Sequence, residues 1–157
     1  MIKMNKKTIS LILLIIFVIT LALTVANVFL QDNNTNENKN GTLTIDNVTV
    51  SYDNAGKCLQ VIDGNTIHVY GVGRVQLTQV NTPDKEPGLG QAKKFVEDKC
   101  LGKIVYLDID DKQPKDKYGR TLAIVYTDSD DVNKELLEND LANISYFEPS
   151  EFKKGEV

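Results

Sequence analysis

The sequence has 157 residues, and setting aside an apolar leader and a polar spacer leaves about one domain's worth, enough for a single modest core, so one domain is expected rather than several. The net charge of −4 deepens from Gly41 onward, where 14 Lys and Arg face 20 Asp and Glu. Such a surface repels phosphate backbones at long range, so any nucleic-acid contact needs a local basic patch. Lys93, Lys94, Lys115, Lys117 and Arg120 offer one, the alternative being solvated Lys on a helix and a loop. The single histidine, His68, has no partner for a Ser/His/Asp or Cys/His nucleophile set and reads as a polar-face residue.

Lys3, Lys6 and Lys7 precede an uncharged apolar run, Thr8 to Leu30, whose 23 residues are enough to cross a bilayer as a helix. Residues 1–7 are then a cytoplasmic basic flank and 8–30 a transmembrane anchor. A cleavable signal peptide ending at Thr24-Val25-Ala26 is the competing reading; the run is long for its apolar region, which favours the uncleaved anchor. Either way the domain is exported, anchored on the outer side of the membrane or secreted. Export makes Cys58 and Cys100 natural disulfide partners, with two buried free thiols as the alternative. Residues 31–40, almost wholly Asn, Asp, Gln, Glu, Lys and Thr, are expected to form a disordered spacer.

The folded part is expected over 41–157. Leu43, Ile45, Val48 and Val50 fit an extended opening, and Leu59 to Ile62 runs into an Asp63-Gly64-Asn65 turn. Thr66 to Tyr70 and Arg74 to Val80 read as a hairpin about Gly71-Val72-Gly73, with Ile67, Val69, Val75 and Leu77 inward and His68, Arg74, Gln76 and Thr78 outward. Ala92, Phe95, Val96 and Cys100 recur at helical spacing, with Gly102 placed for a left-handed cap. Ile104 to Ile109 and Leu122 to Tyr126 read as strands about a charged loop, and Asp108, Asp110 and Asp111 read as solvated. A short second helix starts at Asp131 as N-cap and buries Val132, Leu136 and Leu137. Short strands with helices between them indicate a compact α+β or barrel fold rather than a doubly wound sheet.

Three segments in order carry a resemblance: Val61-Ile62-Asp63-Gly64-Asn65-Thr66, Val80-Asn81-Thr82-Pro83-Asp84, and Asp116-Lys117-Tyr118-Gly119-Arg120-Thr121-Leu122-Ala123. From about Cys58 to Ile144 the chain resembles the thermonuclease (staphylococcal-nuclease-like) family. The resemblance implies a five-stranded OB-type β-barrel with one or two packed helices, here preceded by the transmembrane helix. It also implies Ca²⁺-dependent cleavage of DNA and RNA phosphodiesters. In-line attack needs a hard cation on the phosphate, a positioned water and positive donors for the charge that builds on oxygen.

Carried over position by position, the resemblance assigns Asp63, Asn65, Asn81 and Thr82 to the metal, and Asp84, Arg120 and Gln76 to catalysis. It places Lys117, Tyr118 and Tyr146 at the nucleotide, with barrel packing as the alternative for the two tyrosines. Asn65 and Asn81 stand where calcium-binding carboxylates are expected, and calcium affinity is tuned largely by ligand charge, so weak binding follows. Asp84 is one methylene shorter than the expected water-positioning Glu. Gln76 stands in place of a phosphate-gripping Arg, which Arg74 on the same strand face would partly replace. The implied function is a weak or inactive phosphodiesterase acting as a monomer. The alternative is a non-catalytic OB-fold module binding oligonucleotide, glycan or protein outside the cell.

Overall fold

The computed structural model describes residues 5, 12, 14–20, 40–155 and 157. The chain divides into two units, Met1–Asn36 and Glu37–Val157. In the first, residues 12 and 14–20 are helical, and among the described residues no helix is long and apolar enough to cross a membrane. Most of the expected span over 8–30, and nearly all of the 1–7 basic flank and of the 31–40 spacer, lie outside the described residues.

The second unit opens with β1 (Gly41–Ile45) and β2 (Val48–Tyr52), an antiparallel pair that holds the four residues of the expected extended opening. Its two-residue turn is Asp46-Asn47, with φ of 50° and 65°. Asx residues tolerate that left-handed region, and two consecutive positive φ values match the right-handed twist of a hairpin. A closed five-stranded barrel follows: β3 (Asn54–Asp63), β4 (Thr66–Val69), β5 (Gly73–Leu77), β7 (Ile104–Ile109) and β8 (Thr121–Tyr126), in the spatial order β3-β4-β5-β8-β7. Only β5 and β8 run parallel. The short β6 (Val80–Asn81) pairs with β9 (Asn143–Ile144) outside the barrel.

Alternation along the β4–β5 hairpin sets the core. Ile67, Val69, Val75 and Leu77 are almost wholly buried, while His68 and Arg74 face each other across the other side. Each such burial contributes about 1.5–3 kcal/mol. Helix α1 (Gly88–Cys100) lays Ala92, Val96 and Cys100 on that core, and Gly102 takes φ of 76° just beyond it. Helix α2 (Val132–Glu138) is capped by Asp131, whose carboxylate accepts the Lys134 N–H at 2.9 Å, and it buries Val132 and Leu136. Lys99 of α1 bridges Asp130 at 3.2 Å and Glu135 at 2.6 Å, joining the two helices.

The disulfide expected between Cys58 and Cys100 is corrected: both are free, buried thiols. Each packs as a small apolar residue in the main core, and the Cys58 thiol donates to the Gln60 carbonyl at 3.7 Å. The core here is closed by packing, without a covalent link.

Candidate functional site

The cleft begins at strand ends. β3 and β4 are joined by a turn in which the Asn65 N–H donates to Asp63 Oδ1 at 3.0 Å, an Asx closure that explains the Asp-Gly-Asn choice. Gly64 is required there by space: a Cβ would lie 2.8 Å from Thr82 Oγ1 and 2.7 Å from the Ala92 Cβ. The turn therefore packs directly on the segment leaving β6 and on α1.

Between this turn and the 110–122 region opens a cleft of about 630 Å³. Asn65, Gln76, Asn81, Lys117, Tyr118, Arg120 and Tyr146, seven of the residues singled out by sequence, line it. Asp63, Thr82 and Asp84 are not among its lining residues, and neither is Arg74. Asp63 is half-buried in the turn, Thr82 is buried against Gly64, and Asp84 is exposed beyond β6.

Arg120 is the fixed cation of the cleft. Its Nε donates to Asp116 Oδ2 at 2.7 Å and its Nη1 to Thr66 Oγ1 at 3.3 Å. The same carboxylate accepts the backbone N–H groups of Tyr118 and Arg120 at 2.8 and 2.9 Å on Oδ1. Burial opposes the charge on Asp116, but these backbone and guanidinium donors outweigh it and hold its pKa below 3.8. Thr66 passes the connection on, its hydroxyl donating to Gln76 Oε1 at 3.4 Å, while Gln76 Nε2 donates to the Leu77 carbonyl at 3.3 Å. Thr66 and Gln76 face each other across β4 and β5, so strand register joins Gln76 to Arg120 through one hydroxyl.

Tyr118 is 63% exposed at the rim, with Lys117 Nζ 5.0 Å and the Arg120 guanidinium 5.6 Å from its ring centre. The other wall is the chain after β9, where Tyr146 is half-buried and Phe147 is 75% exposed. Gln79 fastens this wall: its carbonyl accepts the Ser145 N–H at 2.8 Å and its side-chain oxygen accepts the Gly155 N–H at 2.8 Å.

Asp110 departs from its solvated reading. It is 1% exposed, and its Oδ1 accepts the N–H groups of Lys112, Gln113 and Glu151 at 3.0–3.1 Å. Burial again opposes its charge, but the Ser150 hydroxyl and these backbone donors lower its pKa. Asp110 thus ties the loop before Arg120 to the C-terminal segment. Thr66 and Gln79 carry no local signal, because each acts through a partner far along the chain, and the burial of Asp110 depends on the distant Glu151 N–H as well as on its own loop.

The model of the family described as staphylococcal nuclease homologue matches residues 74–157, more than half of the chain. The chain belongs to the staphylococcal nuclease homologue family. Its relatives include the thermonuclease of Staphylococcus intermedius, 34% identical over 102 residues, 59% of this chain and 60% of that protein. Endonuclease YncB of Bacillus subtilis is 37% identical over 103 residues, 58% of this chain and 48% of the relative. The SPbeta prophage-derived endonuclease YokF of the same species is 35% identical over 114 residues, 62% of this chain and 38% of the relative. The matched part spans less than two thirds of the length of each of these relatives. The closed barrel with its packed helices agrees with the α+β fold of the family.

The family implies a calcium ion, and the donors this member presents for it are few. Asp63 offers one carboxylate, and its Oδ1 already accepts the Asn65 N–H. Asn65 directs its amide nitrogen to the Val80 carbonyl at 3.2 Å, so a donor stands where the resemblance asks for an anionic ligand. Among the described residues no three Asp, Glu, His or Cys side chains converge as a metal site would require. This donor set does not fit a resident Ca²⁺.

Proposed function

We propose that this staphylococcal nuclease homologue binds the phosphodiester backbone of DNA or RNA in the cleft and turns it over weakly if at all. The single observation that carries the reading is Arg120. Its guanidinium, fixed by Asp116 and Thr66 at the wall of the cleft, presents its remaining N–H edge as a preformed fork for a phosphate. Tyr118, Tyr146 and Phe147 around it offer ring faces for bases, and Lys117 adds charge at the rim. Thermonuclease and endonuclease relatives make a nucleic acid the natural ligand class.

The chain's own residues bind and orient rather than activate. Gln76 brings a neutral amide to the place of a second fork, and that amide is already engaged with Thr66 and Leu77. Asp84, the residue proposed to position water, is not among those lining the cleft. The non-catalytic binding reading is favoured by the Asn65 amide turned onto Val80. In this proposal the protein acts as a monomer, and residues 8–30 anchor it so that the domain faces the outside of the membrane, a placement supported by the basic flank and the apolar run.

Fluorescence anisotropy of the full-length chain with a labelled single-stranded oligonucleotide tests the reading. Binding should weaken with salt, as phosphate contacts require, and Arg120→Ala should abolish most of it. An affinity indifferent to Arg120→Ala sinks the proposal.

A further inference from the structure

We infer that the Asn65 carboxamide does the structural work of a cation, so that the cleft is held in its binding geometry without metal and its grip on nucleic acid is metal-independent. The inference rests on the reading of the cleft as a nucleic-acid site, but the lock itself stands on three contacts. A cation at this point would tie the β3–β4 turn to β6. Here Asn65 Nδ2 donates across that gap to the Val80 carbonyl at 3.2 Å, between residues 15 apart in sequence. The Asn65 carbonyl accepts the Leu77 N–H at 2.8 Å, which fixes the turn to the end of β5 as well. Gly64 closes the remaining space, since even one added carbon would collide with Thr82 and Ala92.

The side chain chemistry makes this arrangement specific. An amide supplies a donor to a carbonyl, whereas a carboxylate in the same place has only acceptors and would face Val80 oxygen with oxygen. The amide is thus suited to the gap without a cation and a carboxylate only with one between the two oxygens. Asn81, on the same strand as Val80 and also lining the cleft, carries no charge that a cation would neutralise. The substitution at Asn65 and the packing of Gly64 solve the same problem in two ways.

Thermal unfolding of the full-length chain and of Asn65→Asp, each in EDTA and in about 1 mM Ca²⁺, the weak end of extracellular calcium modules, decides the matter. The natural protein is expected to keep the same Tm in both. Asn65→Asp should melt several degrees lower in EDTA and recover part of that loss with Ca²⁺. In parallel, the affinity of the natural protein for a labelled single-stranded oligonucleotide should change less than twofold between the two buffers. A Tm of the natural protein that rises with Ca²⁺, a tenfold loss of oligonucleotide affinity in EDTA, or an Asn65→Asp protein as stable in EDTA as its parent would each overturn the inference. If the oligonucleotide fails to bind in either buffer, the reading of the cleft falls, and the melting arm still decides the lock.

Discussion

Asp116 holds Arg120 twice, accepting its side-chain Nε at 2.7 Å on one oxygen and its backbone N–H at 2.9 Å on the other. One carboxylate thereby sets both the turn of the loop and the direction of the guanidinium. Bonds of this charge-assisted kind contribute about 1.5–3 kcal/mol. Asp116→Asn should therefore weaken oligonucleotide binding by about tenfold or more, because the fork is no longer aimed. Anisotropy titration checks this, and an unchanged affinity would show that Arg120 needs no orienting partner.

The same contact gives a pH dependence. Asp116 has its folded-state pKa lowered from 3.8, so the stability it brings is complete above that value and is lost as pH falls through the lower folded value. Urea midpoints measured across the acid range should drop more steeply in the natural protein than in Asp116→Asn.

Asp110 is predicted to matter more to folding than to binding. Removing its carboxylate leaves the Lys112, Gln113 and Glu151 N–H groups without that acceptor, at a cost of about 1–3 kcal/mol for each donor that stays buried. Asp110→Ala should shift the urea midpoint strongly downward. A loss of unfolding free energy under about 0.5 kcal/mol, the usual size for surface substitutions, would restore the solvated reading.

Phe147 should show the opposite pattern. At 75% exposure it supports little packing, yet it lines the cleft. Base stacking on an aromatic side chain contributes about 1–3 kcal/mol. Phe147→Ala is expected to reduce oligonucleotide affinity at least fivefold while leaving the Tm in place, and the paired measurement separates the two effects.

The thiols should be inert in the native protein. Burial, followed by the neighbouring Cys58, pushes Cys100 up to about 12, and burial also raises Cys58. Since the thiolate is the reactive form, titration with a disulfide reagent at neutral pH should find almost no reactive thiol before unfolding and both after it. A native protein lacking titratable thiols even when unfolded would indicate a disulfide.

How much of this was legible differs from element to element. The β4–β5 hairpin could be read because a period of two in Ile67, Val69, Val75 and Leu77 reports directly on which face meets the core. Helix α1 and the Asp131 cap were legible for the same local reason, as spacing and capping chemistry act within a few residues. The Asp46-Asn47 turn is written in the sequence as an Asx pair between apolar runs, which folds the extended opening back on itself.

The chain's order of residues determined its alternating strands, its helix faces, the Asx turn at Asp63 and the family motifs that place Arg120 and Tyr118. Tertiary structure alone decided which polar groups distant in sequence meet: the Arg120 guanidinium with the Thr66 hydroxyl, the Asn65 amide with the Val80 carbonyl, and the Gln79 and Asp110 side chains with the backbone N–H groups of Gly155 and Glu151. It also decided that the two cysteines lie in the core as thiols. Local patterns record burial and backbone preference, which each residue expresses through its neighbours. A hydrogen bond between residues tens of positions apart depends on how the barrel closes, and that closure is a property of all the strands together.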